Sequence, residues 1–404
     1  MTTLDLVVRA ASAVLPEGQR AASVGMRDGR IAVVAALDAP LTAHADHRVA
    51  DDAVLLPGFV DTHVHLQDPG HPEWESFPHG TLAAAAGGIT TLVDMPLDSE
   101  PTTVDLPALA AKRAAARGRV HVDVGFWGGV VPANGSARAA LHEAGVLGFK
   151  CFLSDSGAAG FPPVSPGQLR EALAGLAPLG APLLVHAEHD GPTRGSVALN
   201  ISGEVAAVAD VIAAARETGG RAHVVHVSAA EAADLLAAAR SDGVRVTAET
   251  CPHYLCLADG AATVSPPIRG AANAERLWQH VGAALGMVVS DHSPCGPGHP
   301  GIASLGLGPA LVWTAARARG HSLVDVARWM AATPARLACL PHKGVIAVGA
   351  DADLVEFGPD DPVRVDVAPY AGWELRGAAR RTWLRGEPVD RSRPRGRLLR
   401  RGDG

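Results

Sequence analysis

Several histidines, one lysine and one aspartate are spaced along this chain as they would be at the ends of consecutive buried strands. The first cluster is His63-Val64-His65, closing the run FVDTHVH just after Pro57-Gly58. On a strand, residues i and i+2 share a face, so both imidazoles can reach one metal ion. His186-Ala187-Glu188 closes PLLVHAE, His223 and His226 lie in AHVVHVS, and Ser290-Asp291-His292-Ser293 closes MVVSDHSP. His223 and His226 have opposite strand parity. His226, nearer the C-terminal end of its run, is taken as the inward ligand, and His223 as a packing or exposed histidine. Lys150 stands in the apolar run GVLGFKCFL, where an unpaired ammonium is costly. A neutral lysine there can take up carbon dioxide to give an anionic, bidentate carbamate able to bridge two cations, whose charge would favour the adduct.

Any one of these histidines alone reads as a hydrogen-bonded structural residue. Ligand-type residues at several separate run ends read together as a two-metal site of His63, His65, Lys150, His186, His226 and Asp291. Coordination lowers the pKa of water from about 15.7 towards about 7, giving a hydroxide that can attack an amide carbonyl. Asp291 is placed to accept the water proton and pass it to the leaving nitrogen.

The elements that must position these residues fall into two textures. From 57 to 340, eight short apolar runs alternate with Ala-rich amphipathic stretches such as VDLPALAAKRAAARG and AAEAADLLAAARSDG. That alternation predicts a parallel (β/α)8 TIM barrel, whose active sites form at the C-terminal ends of the strands. Residues 1–56 and 341–404 read instead as short strands with Gly and Pro turns, with a hairpin at Gly29. Together they predict a small β-sandwich domain built from both termini.

Composition narrows the function classes. The chain has 404 residues, 48% hydrophobic and 19% charged, enough apolar material for a large core. Its net charge is −7 and no basic stripe crosses the body, which argues against nucleic acid. The basic tail RSRPRGRLLRRGDG is expected to be solvated and frayed, with a neighbouring subunit as the alternative contact. Cys151, Cys251, Cys256, Cys295 and Cys339 show no zinc-ribbon or redox spacing, so a reducing cytoplasm is expected. No signal peptide or membrane span is expected.

The segments PGFVDTHVHLQDPG, AAAAGGITTLVDMP, GFKCFL, LLVHAE, HVVHVS, ETCPHYL, SPPIR and VVSDHSPC resemble the cyclic amidohydrolases: dihydropyrimidinases, hydantoinases, dihydroorotases and allantoinases. Among these the chain is most similar to the allantoinases, through PGHPEWESF, DMPLDSEPTT, GVLGFKCFLSDSGAAGFPPV and PHKGVIAVGADADLV. The resemblance carries the same six ligand positions, with zinc as the metal, and implies a homotetramer. It also implies substrate-ring contacts at Ser265 and near Gly301, and hydrolysis of allantoin to allantoate. The alternatives are a hydantoinase or dihydropyrimidinase, a dihydroorotase, or a scaffold relative that has lost catalysis. The chain departs from the pattern at His71, at Asp98, where relatives carry Asn, in a shortened loop after Cys295, and in an abbreviated segment between His186 and Val205.

Overall fold

The computed structural model describes residues 3–189, 197–258, 260–294 and 301–403, with the side chains of 197–200 left aside. Cys295 and the stretch that follows it, and residues 190–196, lie outside the described residues.

The alternating runs form a (β/α)8 barrel. Its strands in order are Phe59–Val64, Ile89–Asp94, Asp123–Phe126 continued by Gly128–Gly129, Phe149–Phe152, Pro182–His186, Arg221–Val224, Val246–Thr250 and Met287–Val288. Neighbouring strands pair in parallel, and the bridge Val64↔His292 closes the eighth strand onto the first. The first and second strands are buried at every position, as strands covered on both faces must be. Helices begin where their caps dictate: Asp105 accepts the Ala108 amide at 2.9 Å ahead of Leu106–Ala116. Ser165 and Gln168 form a reciprocal capping box ahead of Pro166–Leu176. Among the described residues no helix is long and apolar enough to cross a membrane.

Both ends of the chain meet in one sheet. Leu4–Leu15, Gly18–Arg27, Arg30–Ala35, Ala43–Arg48 and Val54–Pro57 join Leu354–Arg364, Glu374–Leu384 and Glu387–Pro388 through hydrogen bonds. The Asp28-Gly29 turn has positive φ at both residues, 52° and 77°, the backbone of a tight hairpin that suits the twist of its strands. Val8, Leu15, Val24, Leu55, Leu354 and Trp383 form a core of its own on this sheet.

The C-terminal tail is not frayed, correcting the expectation for this segment. Leu398 bridges Val124 in parallel, the Leu399 amide donates to Val124 O at 2.8 Å, and the Arg397 amide donates to Asp123 Oδ1 at 2.7 Å. A side chain at Gly396 would place its Cβ 2.0 Å from Val122 O, so only glycine permits this approach. The tail thus pairs along the third barrel strand. Through the Arg397 amide it touches a buried ionic knot in which Lys343 Nζ contacts Asp123, Asp351 and Asp353 at 2.6–2.8 Å, and Arg385 also contacts Asp123. Three acids clustered this closely resemble a cation site, but the lysine ammonium already occupies their centre.

The knot ties the barrel to the terminal sheet. Removing its lysine would strand buried carboxylates, a change that costs about 3–5 kcal/mol. Lys343→Met is therefore expected to lower the thermal unfolding midpoint clearly, whereas Arg216→Ala, at an exposed ion pair with Asp242 2.9 Å long, should leave it nearly unchanged. Equal melting of the two variants in calorimetry would contradict this assignment.

Candidate metal centre

The C-terminal ends of the strands bring the six residues together. His63 and His65 face the barrel mouth with ring centroids 5.3 Å apart, and His63 lies 5.4 Å from the His226 ring. His186 Nδ1 is 2.9 Å from His226 Nε2. The His186 ring stacks on Phe152 at 4.5 Å, and Lys150 Nζ sits 4.7 Å from the centre of that same Phe152 ring. Asp291 Oδ1 is 3.0 Å from His63 Nε2 and 3.5 Å from His65 Nε2. Ligand atoms of His63, His65 and Asp291 all lie within 4.8 Å of one another.

Two of these residues stand on unusual backbone. His226 has φ 40° and Asp291 has φ 48°, both left-handed, a conformation that costs of order 1–3 kcal/mol off glycine and gathers at functional sites. The sixth strand ends at Val224 and the eighth at Val288, so both residues lie beyond regular strand. The parity argument that set His223 against His226 does not apply there. Both side chains are buried, and both turn into the barrel. His223 is neither exposed nor a bland packing residue: its Nε2 is 3.0 Å from Glu249 Oε2 and its Nδ1 2.7 Å from Thr247 Oγ1.

Glu249 is the residue that sequence reasoning passed over. It is fully buried on the seventh strand and its Oε1 is 2.5 Å from His63 Nδ1. The attraction of His63 and His223 outweighs burial and holds the carboxyl down at about 2, so it is ionised. An anionic acceptor at Nδ1 fixes the proton there and leaves His63 Nε2 bare towards Asp291. The available signal was the acid itself: a Glu in the buried run VRVTAETCPH needs a partner for the same reason Lys150 does. Asp98, the departure from the usual Asn, does the same for the second histidine, with Oδ2 2.7 Å from His65 Nδ1. Burial disfavours the His65 cation, but hydrogen bonds to Asp291 and Asp98 prevail and lift it to about 9. Asp61 braces the first and eighth strands by accepting the amides of His63 at 3.1 Å and Ser290 at 3.2 Å.

The donor set fits divalent cations. Lys150 Nζ, His226 Nδ1 and His63 Nε2 are buried without a hydrogen-bond partner, an arrangement that native interiors avoid unless something else satisfies the atom. Burial pushes the Lys150 amine down to about 8, against the pull of Asp291 and Glu249, and so raises its neutral, nucleophilic fraction. Imidazole nitrogens beside carboxylate oxygens suit zinc, cobalt, manganese or iron.

Ser265 and Gly301, the residues expected at the substrate, lie in the connections that follow the seventh and eighth strands. Ser265 Oγ donates to Glu188 Oε2 at 2.6 Å, and Glu188 Oε2 lies 3.4 Å from His186 Nε2. A Cβ at Gly301 would meet Ser293 Oγ at 2.2 Å, two residues past Asp291. His71 is removed from the cluster: it stacks on Trp74 at 4.1 Å and pairs with Glu73 at 3.2 Å.

Comparison with known proteins agrees with this geometry. The model of the amidohydrolase family matches residues 54–389. The chain is 44% identical to an allantoinase of Streptomyces avermitilis, over 99% of this chain and 100% of that protein. It is 39% identical to an allantoinase of Arabidopsis thaliana, over 93% of this chain and 86% of that one. Among solved structures, the L-hydantoinase (dihydropyrimidinase) from Arthrobacter aurescens superposes with a TM-score of 0.89 at 28% identity, covering 98% of both chains. The dihydropyrimidinase from Brevibacillus agri gives 0.86 at 27%, covering 97% and 98%. Fold, strand-end chemistry and sequence therefore agree that this chain belongs to the amidohydrolase family.

Proposed function

We propose that this protein is an allantoinase, a hydrolase that opens the hydantoin ring of allantoin to give allantoate. The observation that carries the reading is full-length similarity to allantoinases, 44% in the S. avermitilis protein against 28% in the L-hydantoinase structure. The same chemistry on hydantoin or dihydrouracil is the alternative, and the lower identity to the hydantoinases disfavours it.

In this reading His63, His65, His186, His226, Asp291 and a carbamate on Lys150 hold two divalent ions, with zinc the expected metal. When bound, the ions would supply a polarised ring carbonyl and a water acidic enough to ionise near neutral pH. The neutral Lys150 Nζ forms an N–C bond to carbon dioxide and releases one proton, becoming an anion that satisfies an otherwise unpartnered buried nitrogen. Asp291 Oδ1 takes a proton from water and delivers it to the ring nitrogen as the C–N bond breaks. One water is consumed, its oxygen ending on the new carboxylate. Glu249 and Asp98 hold the proton on the Nδ1 atoms of His63 and His65, so that each Nε2 is the nitrogen that would meet a cation, His65 giving up its Nε2 proton as the cation enters. Ser265 and the Gly301 backbone orient the ring. A cytoplasmic homotetramer acting in purine breakdown belongs to the same reading.

Turnover of purified, metal-supplemented protein with bicarbonate should be fastest on allantoin and at least about tenfold slower on hydantoin and dihydrouracil. The reverse order would replace the substrate assigned here. Lys150→Ala and Asp291→Ala should each lower kcat/KM on allantoin by roughly a thousandfold or more with folding intact, as judged by circular dichroism. Near-normal rates in either would remove that residue from the mechanism. Glu249→Gln should weaken metal retention by about 10- to 100-fold in a chelator competition; unchanged retention would reduce Glu249 to packing.

A further inference from the structure

At the opposite end of the barrel from the metal centre, a cavity of about 370 Å³ opens among the N-terminal ends of the fifth to eighth strands and the helix Thr333–Leu337. Four arginines line it: Arg221, Arg240, Arg245 and Arg336. Among the described residues no carboxylate lines it, and none of the four guanidiniums makes an ion pair. Arg221 donates to Gly180 O at 2.9 Å, Arg245 to Gly219 O at 3.1 Å, and Arg240 to the carbonyls of Ala283 and Ala284. These neutral acceptors fix the side chains without cancelling their charge. Among the described residues Arg336 makes no side-chain hydrogen bond. Other arginines of the protein meet acids, as Arg380 does Asp52 and Asp361 and Arg276 does Glu231 and Asp234, and some, such as Arg113 and Arg401, meet only carbonyls; what sets these four apart is that they share one cavity. Four uncompensated positive charges round one concavity, in a chain of net charge −7, are a local inversion of the protein's field.

The wall also carries the exposed Thr247 hydroxyl, which can contribute a hydrogen bond. Thr247 is the outer member of the line Thr247–His223–Glu249–His63 that runs through the barrel interior to the metal centre. Guanidiniums recognise the paired oxygens of phosphate and carboxylate groups through forked hydrogen bonds. A volume near 370 Å³ accommodates a compact ligand and excludes a polymer. We propose that this cavity is a binding site for a compact dianion, a phosphate-bearing or dicarboxylate metabolite, distinct from the metal centre. It rests on the arginine cluster and the cavity, and not on the substrate assigned above.

The test is isothermal titration of the metal-loaded, full-length protein at constant ionic strength in chloride buffer, with inorganic phosphate and succinate as separate probes. Saturable binding of one equivalent per chain is expected for at least one probe, and the probe that binds identifies the oxygen chemistry preferred. Arg245→Ala/Arg336→Ala should weaken that binding at least about tenfold, with melting temperature and basal turnover unchanged, since both side chains are exposed and remote from the metal centre. If the double variant melts early, the two single variants carry the test, each with a several-fold loss. Absence of saturable binding for both probes, or equal binding by wild type and variants, overturns the proposal. Binding that survives in the variants belongs to the metal centre.

Discussion

Buried nitrogen atoms left without a hydrogen bond, gathered round one aspartate, are what the site is organised around. Lys150 Nζ, His226 Nδ1 and His63 Nε2 are sealed from water without hydrogen-bond partners. A buried polar atom left in that state costs about 1–3 kcal/mol. Several of them within one barrel mouth, beside an ionised aspartate, form an arrangement that divalent cations would stabilise. His63 Nδ1 and His65 Nδ1, by contrast, are each fixed by a carboxylate. His63 and His65 thus each turn Nδ1 to a carboxylate of the protein and Nε2 towards Asp291.

That division reaches into the scaffold. The interior of a barrel of this kind is ordinarily filled by layers of branched apolar side chains. Here part of the interior beneath the mouth is polar, with Glu249 shared between His63 and His223, and His223 bonded to Thr247. Asp61 adds a tie between the first and eighth strands at the point where the ring closes. The terminal sheet and the docked tail hold the barrel from outside through Asp123, which serves Lys343, Arg385 and the Arg397 amide at once. The barrel is thus tied by polar contacts beneath its mouth and by an ionic knot at the N-terminal end of its third strand.

The cluster of candidate metal ligands was legible because its residues violate the sequence rules around them. Imidazoles, a lysine and an aspartate at the ends of apolar runs have no cheap structural explanation, and the alternation of runs and helices places those ends on one face. What escaped was long-range or depended on backbone. The partnership of Glu249 with His63 spans 186 positions in sequence, and no local pattern announces it. Strand parity failed at His226 because the chain had already left the strand into left-handed backbone. The tail read as solvated because its arginines outweigh its few apolar residues; its order comes from backbone pairing with Val120 and Val124, which side-chain composition does not reveal.

In the proposed mechanism Lys150 would carry a carbamate that helps to hold two cations. The most direct measurement is 13C NMR of protein loaded with divalent metal in 13C-labelled bicarbonate, combined with elemental analysis of the same sample. The account predicts one carbamate resonance per chain together with close to two metal ions, both absent in Lys150→Ala. Two firmly bound ions without a carbamate signal, or no stoichiometric metal at all, would contradict it.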